Sequence, residues 1–121
     1  MLFQYGHFAL HSGVASTWKI DCDALTDHDI DALAHMIRLL VPTFSTVEGV
    51  PRGGTRLATC LSKDGGKALG PLLIVDDVLT TGASMEQQRA GRPALGVVIF
   101  ARGLAPLWVT PLFHAAHQLS R

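Results

Sequence analysis

Two runs of this chain leave little freedom of fold. "LLIVDDVL" at 72–79 and "ALGVVIFAR" at 94–102 are apolar without the polar alternation of a half-solvated strand. Strands that read this way are buried on both faces, as in parallel sheets covered by helices. "PLWVTPLF" is a third candidate, and Pro111 points to a sheet edge because proline brings no N–H to a ladder. "STVEGV" is a fourth, short and β-branched. Helical patterns alternate with these strands. "ALTDHDIDALAHMIRLLV" spaces Ile30, Leu33, Ala34, Ile37 and Leu40/Val41 with a helical period. Thr26 suits its N-cap, Asp27 and Asp29 suit its positive first turn, and Pro42 stops it. "TRLATCLS" and "GASMEQQRAG" read as short helices, the second ending near Gly91. The expectation is one α/β domain: a parallel sheet flanked by helices, with ligands at the carboxyl ends of its strands.

Composition narrows the function. The chain has 121 residues, enough for one domain, with 48% apolar and 17% charged residues. Ten basic and ten acidic residues cancel, which lends no support to nucleic-acid binding. Cys22 and Cys60 form no CxxC and read as reduced, packed thiols. His114 and His117 could share a helical face, but no carboxylate or cysteine nearby completes a metal site. His11 lies in the N-terminal segment, near a ligand or simply exposed. The N-terminus has neither a basic region nor an apolar core of the kind a signal peptide needs. No apolar run approaches the ~18 residues of a membrane span. A cytoplasmic protein is the default expectation.

The chemistry concentrates in "LLIVDDVLTTGAS". A turn between a buried strand and a helix aims backbone N–H groups at one spot, and the helix dipole adds to them. Thr80, Thr81 and Ser84 supply hydroxyls, and Gly82 lets the backbone curl without a Cβ clash. That is a phosphate cradle made without lysine. Asp76 and Asp77 would repel a phosphate, so hydroxyls or a cation suit them better. Vicinal ribose hydroxyls fit, and an acid pair beside a phosphate cradle describes a ribose 5-phosphate site.

This stretch resembles the phosphoribosyl pyrophosphate (PRPP) motif of the type I phosphoribosyltransferases. The resemblance implies that Asp76 and Asp77 hold the ribose hydroxyls, and that Thr80, Thr81, Gly82, Ala83 and Ser84 hold the 5-phosphate. "EGVPRGGTRLA" resembles the family's earlier strand–loop–helix, which implies a pyrophosphate loop at Pro51, Arg52, Gly53 and Gly54. Read without the family, "PRGG" suits an ordinary surface turn equally well. "FALHSGVASTWKIDCDAL" resembles the hood segment of orotate phosphoribosyltransferases at Phe8, Leu10, Ser12, Gly13, Ser16 and Asp21. It implies base contacts from Trp18 and Lys19. An indole can stack on a pyrimidine and a lysine can pair with its carboxylate, although Trp18 equally suits a packed core aromatic.

The resemblance implies a phosphoribosyltransferase-like domain over 1–121, with a hood at 1–25 and a PRPP-binding core at 45–110. It implies transfer of the phosphoribosyl group from PRPP to a pyrimidine base, orotate above others, with release of pyrophosphate. Mg2+ would arrive with PRPP, with no metal held directly by the protein, and the chain would form a homodimer. One departure stands out. Orotate enzymes carry a long basic lid before the PRPP motif that closes over the neighbouring subunit's site, whereas here only "SKDGGKALGP" joins helix to strand. Lys63 and Lys67 are its lysines, a short catalytic lid beside Asp76 and Asp77 or part of a plain connector. The rival readings are a PRPP- or nucleotide-sensing module with weak catalysis, and a purine phosphoribosyltransferase.

Overall fold

The computed structural model of the protein describes residues 1–10, 15–63, 65–67 and 69–114. An antiparallel hairpin, β1 (Phe3–Ala9) and β2 (Ala15–Ile20), comes first. A 3-10 turn at Cys22–Ala24 leads into α1 (Asp27–Leu40). Then follow β3 (Thr46–Gly49), α2 (Thr55–Ser62), β4 (Leu72–Leu79), α3 (Ala83–Arg89), β5 (Leu95–Ala101) and β6 (Val109–His114). The last four strands form a parallel sheet in the order β3-β4-β5-β6. Pro111 lies on the edge strand β6, as its missing N–H predicts.

Both faces of the sheet are covered. Ile30, Leu33, Ala34 and Ile37 of α1 and Leu57 and Leu61 of α2 pack with Leu73, Val75, Val97 and Ile99 on one face. Met85 of α3 packs with Ile74, Leu79, Val98 and Val109 on the other. The continuous apolar character of β4 and β5 follows directly, since successive side chains enter different cores. α1 starts on a capping box: the Thr26 hydroxyl accepts from the Asp29 N–H, and the Asp29 carboxylate accepts from the Thr26 N–H. At its other end Val41 is buried, while Leu40 is 48% exposed.

The hairpin lies over the carboxyl end of the sheet. Phe3 meets Phe100 edge-on at 6.2 Å between centroids, and the Asp21 N–H donates to the Leu2 carbonyl. The sequence pattern had not shown these two strands. Ser12, Gly13, His11 and His117 fall outside the described residues. Among the described residues, no helix is long and apolar enough to cross a membrane.

Candidate active site

The acid pair sits inside β4, where its neighbour has already ended. β3 stops opposite Val75, and Val50 just beyond it donates to the Val75 carbonyl at 2.9 Å. The Asp77 amide, two residues on, therefore has no strand partner on that side. The Asp76 carboxylate accepts from it at 2.8 Å, and the Asp77 carboxylate accepts from the Val78 N–H at 2.7 Å. The sequence reads 72–79 as one strand with the acids inside it. In the structure β4 continues to Leu79 against β5, and it is the shorter β3 that opens the cleft.

Asp76 is only 7% exposed, whereas Asp77 is half-buried. Burial pushes the Asp76 carboxyl up to about 8, with the Asp77 charge and a hydrogen bond to Asp77 adding to it. The site thus holds one carboxyl that keeps its proton near neutrality beside a more accessible one.

Glycines let the 51–54 loop come down on this pair. An added Cβ at Gly53 would collide with the Asp77 carboxylate, and one at Gly54 would collide with the Val75 carbonyl. "PRGG" is thus a close approach of backbone to the acids, with glycine required by that contact. The Pro51–Arg52 peptide is cis.

On the other side the chain turns through Thr80–Ser84 into α3. Gly82 has φ +88°, in the left-handed region that favours glycine. An added Cβ there would meet Pro106 and Leu79 only at 3.7–3.9 Å. The expected clash is absent, and the backbone angle is what calls for glycine. The Gly82, Ala83 and Ser84 amides precede the first helical bond, Glu86 N–H to Gly82 carbonyl, and so have no helical acceptor. The Thr81 hydroxyl accepts from the Ala83 N–H at 3.3 Å.

These parts border one cleft of about 1030 Å³. Its lining takes in Arg52 and Gly53 of the first loop, Asp76 and Asp77, and Thr80 to Ser84; Pro51 also borders it, while Gly54 packs beneath the loop. Lys19 of the hairpin borders it too, and its ammonium sits 4.9 Å from the centroid of Phe8.

Trp18 does not border the cleft. Its ring lies under the Arg102 guanidinium, 3.6 Å from the centroid, and tilts against Phe3 at 6.5 Å. Arg102 is the residue sequence reading missed. It follows β5, is 9% exposed, borders the cleft, and donates to the Ser16 hydroxyl at 2.9 Å and the Trp18 carbonyl at 3.1 Å. Burial lowers its pKa. Asp76 and Arg102 are the buried charged residues among those described. Asp21 caps the 3-10 turn, accepting from the Asp23 N–H and from Gln4. Cys22 also lines the cleft, and burial, with Asp77, Asp21, Asp76 and Asp23 around it, pushes its thiol up to about 12.

Lys63 and Lys67 lie elsewhere. Lys63 caps the end of α2, and the Lys67 N–H donates to the Phe44 carbonyl at 2.6 Å, beside the amino end of β3. Both are exposed, and neither borders the cleft at the carboxyl ends.

No protein-family profile and no curated protein sequence matches the chain. Solved structures do. Orotate phosphoribosyltransferase from Aeropyrum pernix superposes with a TM-score of 0.69 at 22% identity, over 93% of this chain and 88% of that one. Orotate phosphoribosyltransferase from Mycobacterium tuberculosis gives 0.68 at 16% identity, over 93% and 89%. A phosphoribosyltransferase from Corynebacterium diphtheriae gives 0.64 at 16% identity, over 82% and 83%. Sheet order, hairpin and cleft together with these superpositions give the conclusion that this chain has the phosphoribosyltransferase fold.

Proposed function

We propose that the protein is a phosphoribosyltransferase that joins PRPP to a pyrimidine base, orotate, and releases pyrophosphate. One observation carries the reading: the buried Asp76–Asp77 pair lies between a glycine loop and a hydroxyl-rich turn in a single cleft. Ribose hydroxyls donate to the acids, the 5-phosphate takes the amides and hydroxyls of Thr80–Ser84, and the diphosphate takes the loop at Pro51–Gly54. The base ring nitrogen attacks C1 as the bond from C1 to the diphosphate oxygen breaks, and the ring N–H proton goes to solvent. Lys19 and Arg102 put two cations at the hairpin side of the cleft, which favours a base bearing a carboxylate. Orotate is preferred to a purine on that ground.

Among the described residues no three His, Cys, Asp or Glu side chains gather to cage a metal. Mg2+ would arrive with PRPP, and Asp77, the more accessible carboxylate of the pair, would be the residue beside it, since Mg2+ commonly binds through one or two carboxylates and phosphates. Bound there, Mg2+ would neutralise charge on the departing diphosphate. In this reading the protein works as a homodimer, as the sequence resemblance implies, and in the cytoplasm, the default expectation.

A second reading, a PRPP-binding regulatory module, is favoured by the position of Lys63 and Lys67 away from the cleft of their own chain. The two separate on pyrophosphate release from PRPP and Mg2+. Release that depends on orotate, and not on uracil or hypoxanthine, supports the enzyme. PRPP binding without release under any base supports the module.

A further inference from the structure

A second arginine, Arg56, borders the cleft beside the diphosphate loop that carries Arg52. We infer that Arg56 is a diphosphate-binding residue that leaves Asp27 to take the ligand, an inference that rests on the phosphoribosyl reading above. Arg56 borders the cleft two residues past the glycine loop. It stands in the first turn of α2, where the helix dipole disfavours a cation, and that turn carries no acid to offset it. A residue that breaks a local rule in this way marks a functional position when an anion is at hand to compensate.

Its present partners hold it weakly. Nη2 donates to the Leu25 carbonyl at 3.0 Å and to Asp27 Oδ1 at 3.3 Å. Asp27 is fully exposed and Arg56 is 41% exposed, so their ion pair is of the solvated kind that contributes little. Nε and Nη1 have no protein partner among the described residues. Exchanging Asp27 for a diphosphate therefore loses little and gains a planar fork suited to phosphate oxygens. The other cations of the cleft are placed differently. Arg102 is tied beneath the hairpin, Lys19 sits over Phe8, and Arg52 belongs to the loop itself. The exchange also has a structural side: Arg56 grips Leu25 between the 3-10 turn and α1, so the hairpin connection and the diphosphate would share one side chain.

The test is calorimetric titration of the folded protein with inorganic pyrophosphate and Mg2+, and separately with ribose 5-phosphate. Arg56→Ala should weaken pyrophosphate binding about tenfold or more and leave ribose 5-phosphate binding as in the wild type. Arg56→Lys should restore part of the loss. Asp27→Asn, which releases the guanidinium, should tighten pyrophosphate binding. Wild-type pyrophosphate affinity in Arg56→Ala, or equal losses for both ligands, overturns the inference. An Asp27→Asn variant that fails to bind pyrophosphate more tightly overturns the exchange. A wild type that binds ribose 5-phosphate and pyrophosphate, with Arg56→Ala unaltered, removes Arg56 alone. A wild type that binds neither removes the phosphoribosyl reading and Arg56 with it.

Discussion

Replacing Asp76 by Asn should stabilise the ligand-free protein, and by an amount that depends on pH. The folded Asp76 carboxyl holds its proton up to about 8, against 3.8 in an exposed chain. Between those values the folded state binds more protons than the unfolded state. Unfolding free energy therefore falls as pH rises through this window, and levels off above it. Asn carries no charge to bury, its carbonyl can still accept from the Asp77 N–H, and its NH2 can take the place of the acid proton in the side-chain hydrogen bond to Asp77. At about 1.36 kcal/mol per pH unit, the roughly three units between 3.8 and neutrality set a ceiling of about 4 kcal/mol at pH 7. Relaxation of the pair and partial hydration reduce this to about 2 kcal/mol, or roughly 6–10 °C in Tm for a chain of this size. The assay is thermal unfolding of both proteins from pH 4 to pH 9. The gain should be near zero at pH 4 and largest near pH 8. A pH-independent difference, or a variant less stable at pH 8, would refute the reasoning.

Other perturbations follow from the same geometry. PRPP binding should release up to one proton at pH 7, because donor hydroxyls favour the ionised acid; calorimetry in buffers of different ionisation enthalpy reads it. Gly53→Ala, whose Cβ collides with the Asp77 carboxylate, should lower kcat/KM about 100-fold while Tm stays close to wild type. Gly82→Val forces a β-branched residue to φ +88°; it should cost about 1–2 kcal/mol of stability in a denaturant titration and weaken ribose 5-phosphate binding. Glu48 behaves oppositely to Asp76. Hydrogen bonds from Arg92 and then Gln88 hold its carboxyl down at about 2, so its contribution is present above pH 4.5 and lost as pH falls toward 2. Glu48→Gln should therefore lose about 1 kcal/mol at pH 7 and nothing at pH 2, read by urea unfolding.

Local signals made the sheet and half of the cleft legible. β4 and β5 announced themselves by unbroken apolar runs, α1 by its period and the Thr26 cap, and β6 as an edge by Pro111. The acid pair and the Thr80–Ser84 turn lie together in one stretch of chain, so their chemistry could be read there. Other features depend on what the chain meets in three dimensions. "PRGG" resembles any surface turn until Gly53 is seen against Asp77. Arg102 reads as the polar end of a strand, and only the hairpin folded over it makes it a buried cation. Arg56 gains meaning only because α2 brings it beside Leu25 and Asp27. The lid role of Lys63 and Lys67 comes from resemblance alone, and the connector that carries them runs from α2 to the start of β4, beside the amino end of β3. The hairpin itself was silent, because β1 is mostly exposed on both faces and gives no inward stripe.

Titration of the folded wild-type protein with PRPP and Mg2+, beside the Asp76→Asn/Asp77→Asn variant, tests the central claim most directly. The account expects saturable binding of PRPP at one site per chain and a loss of about 1.5–3 kcal/mol for each charged hydrogen bond removed. Equal affinity in the two proteins, or no binding of PRPP by the folded wild type, would contradict it.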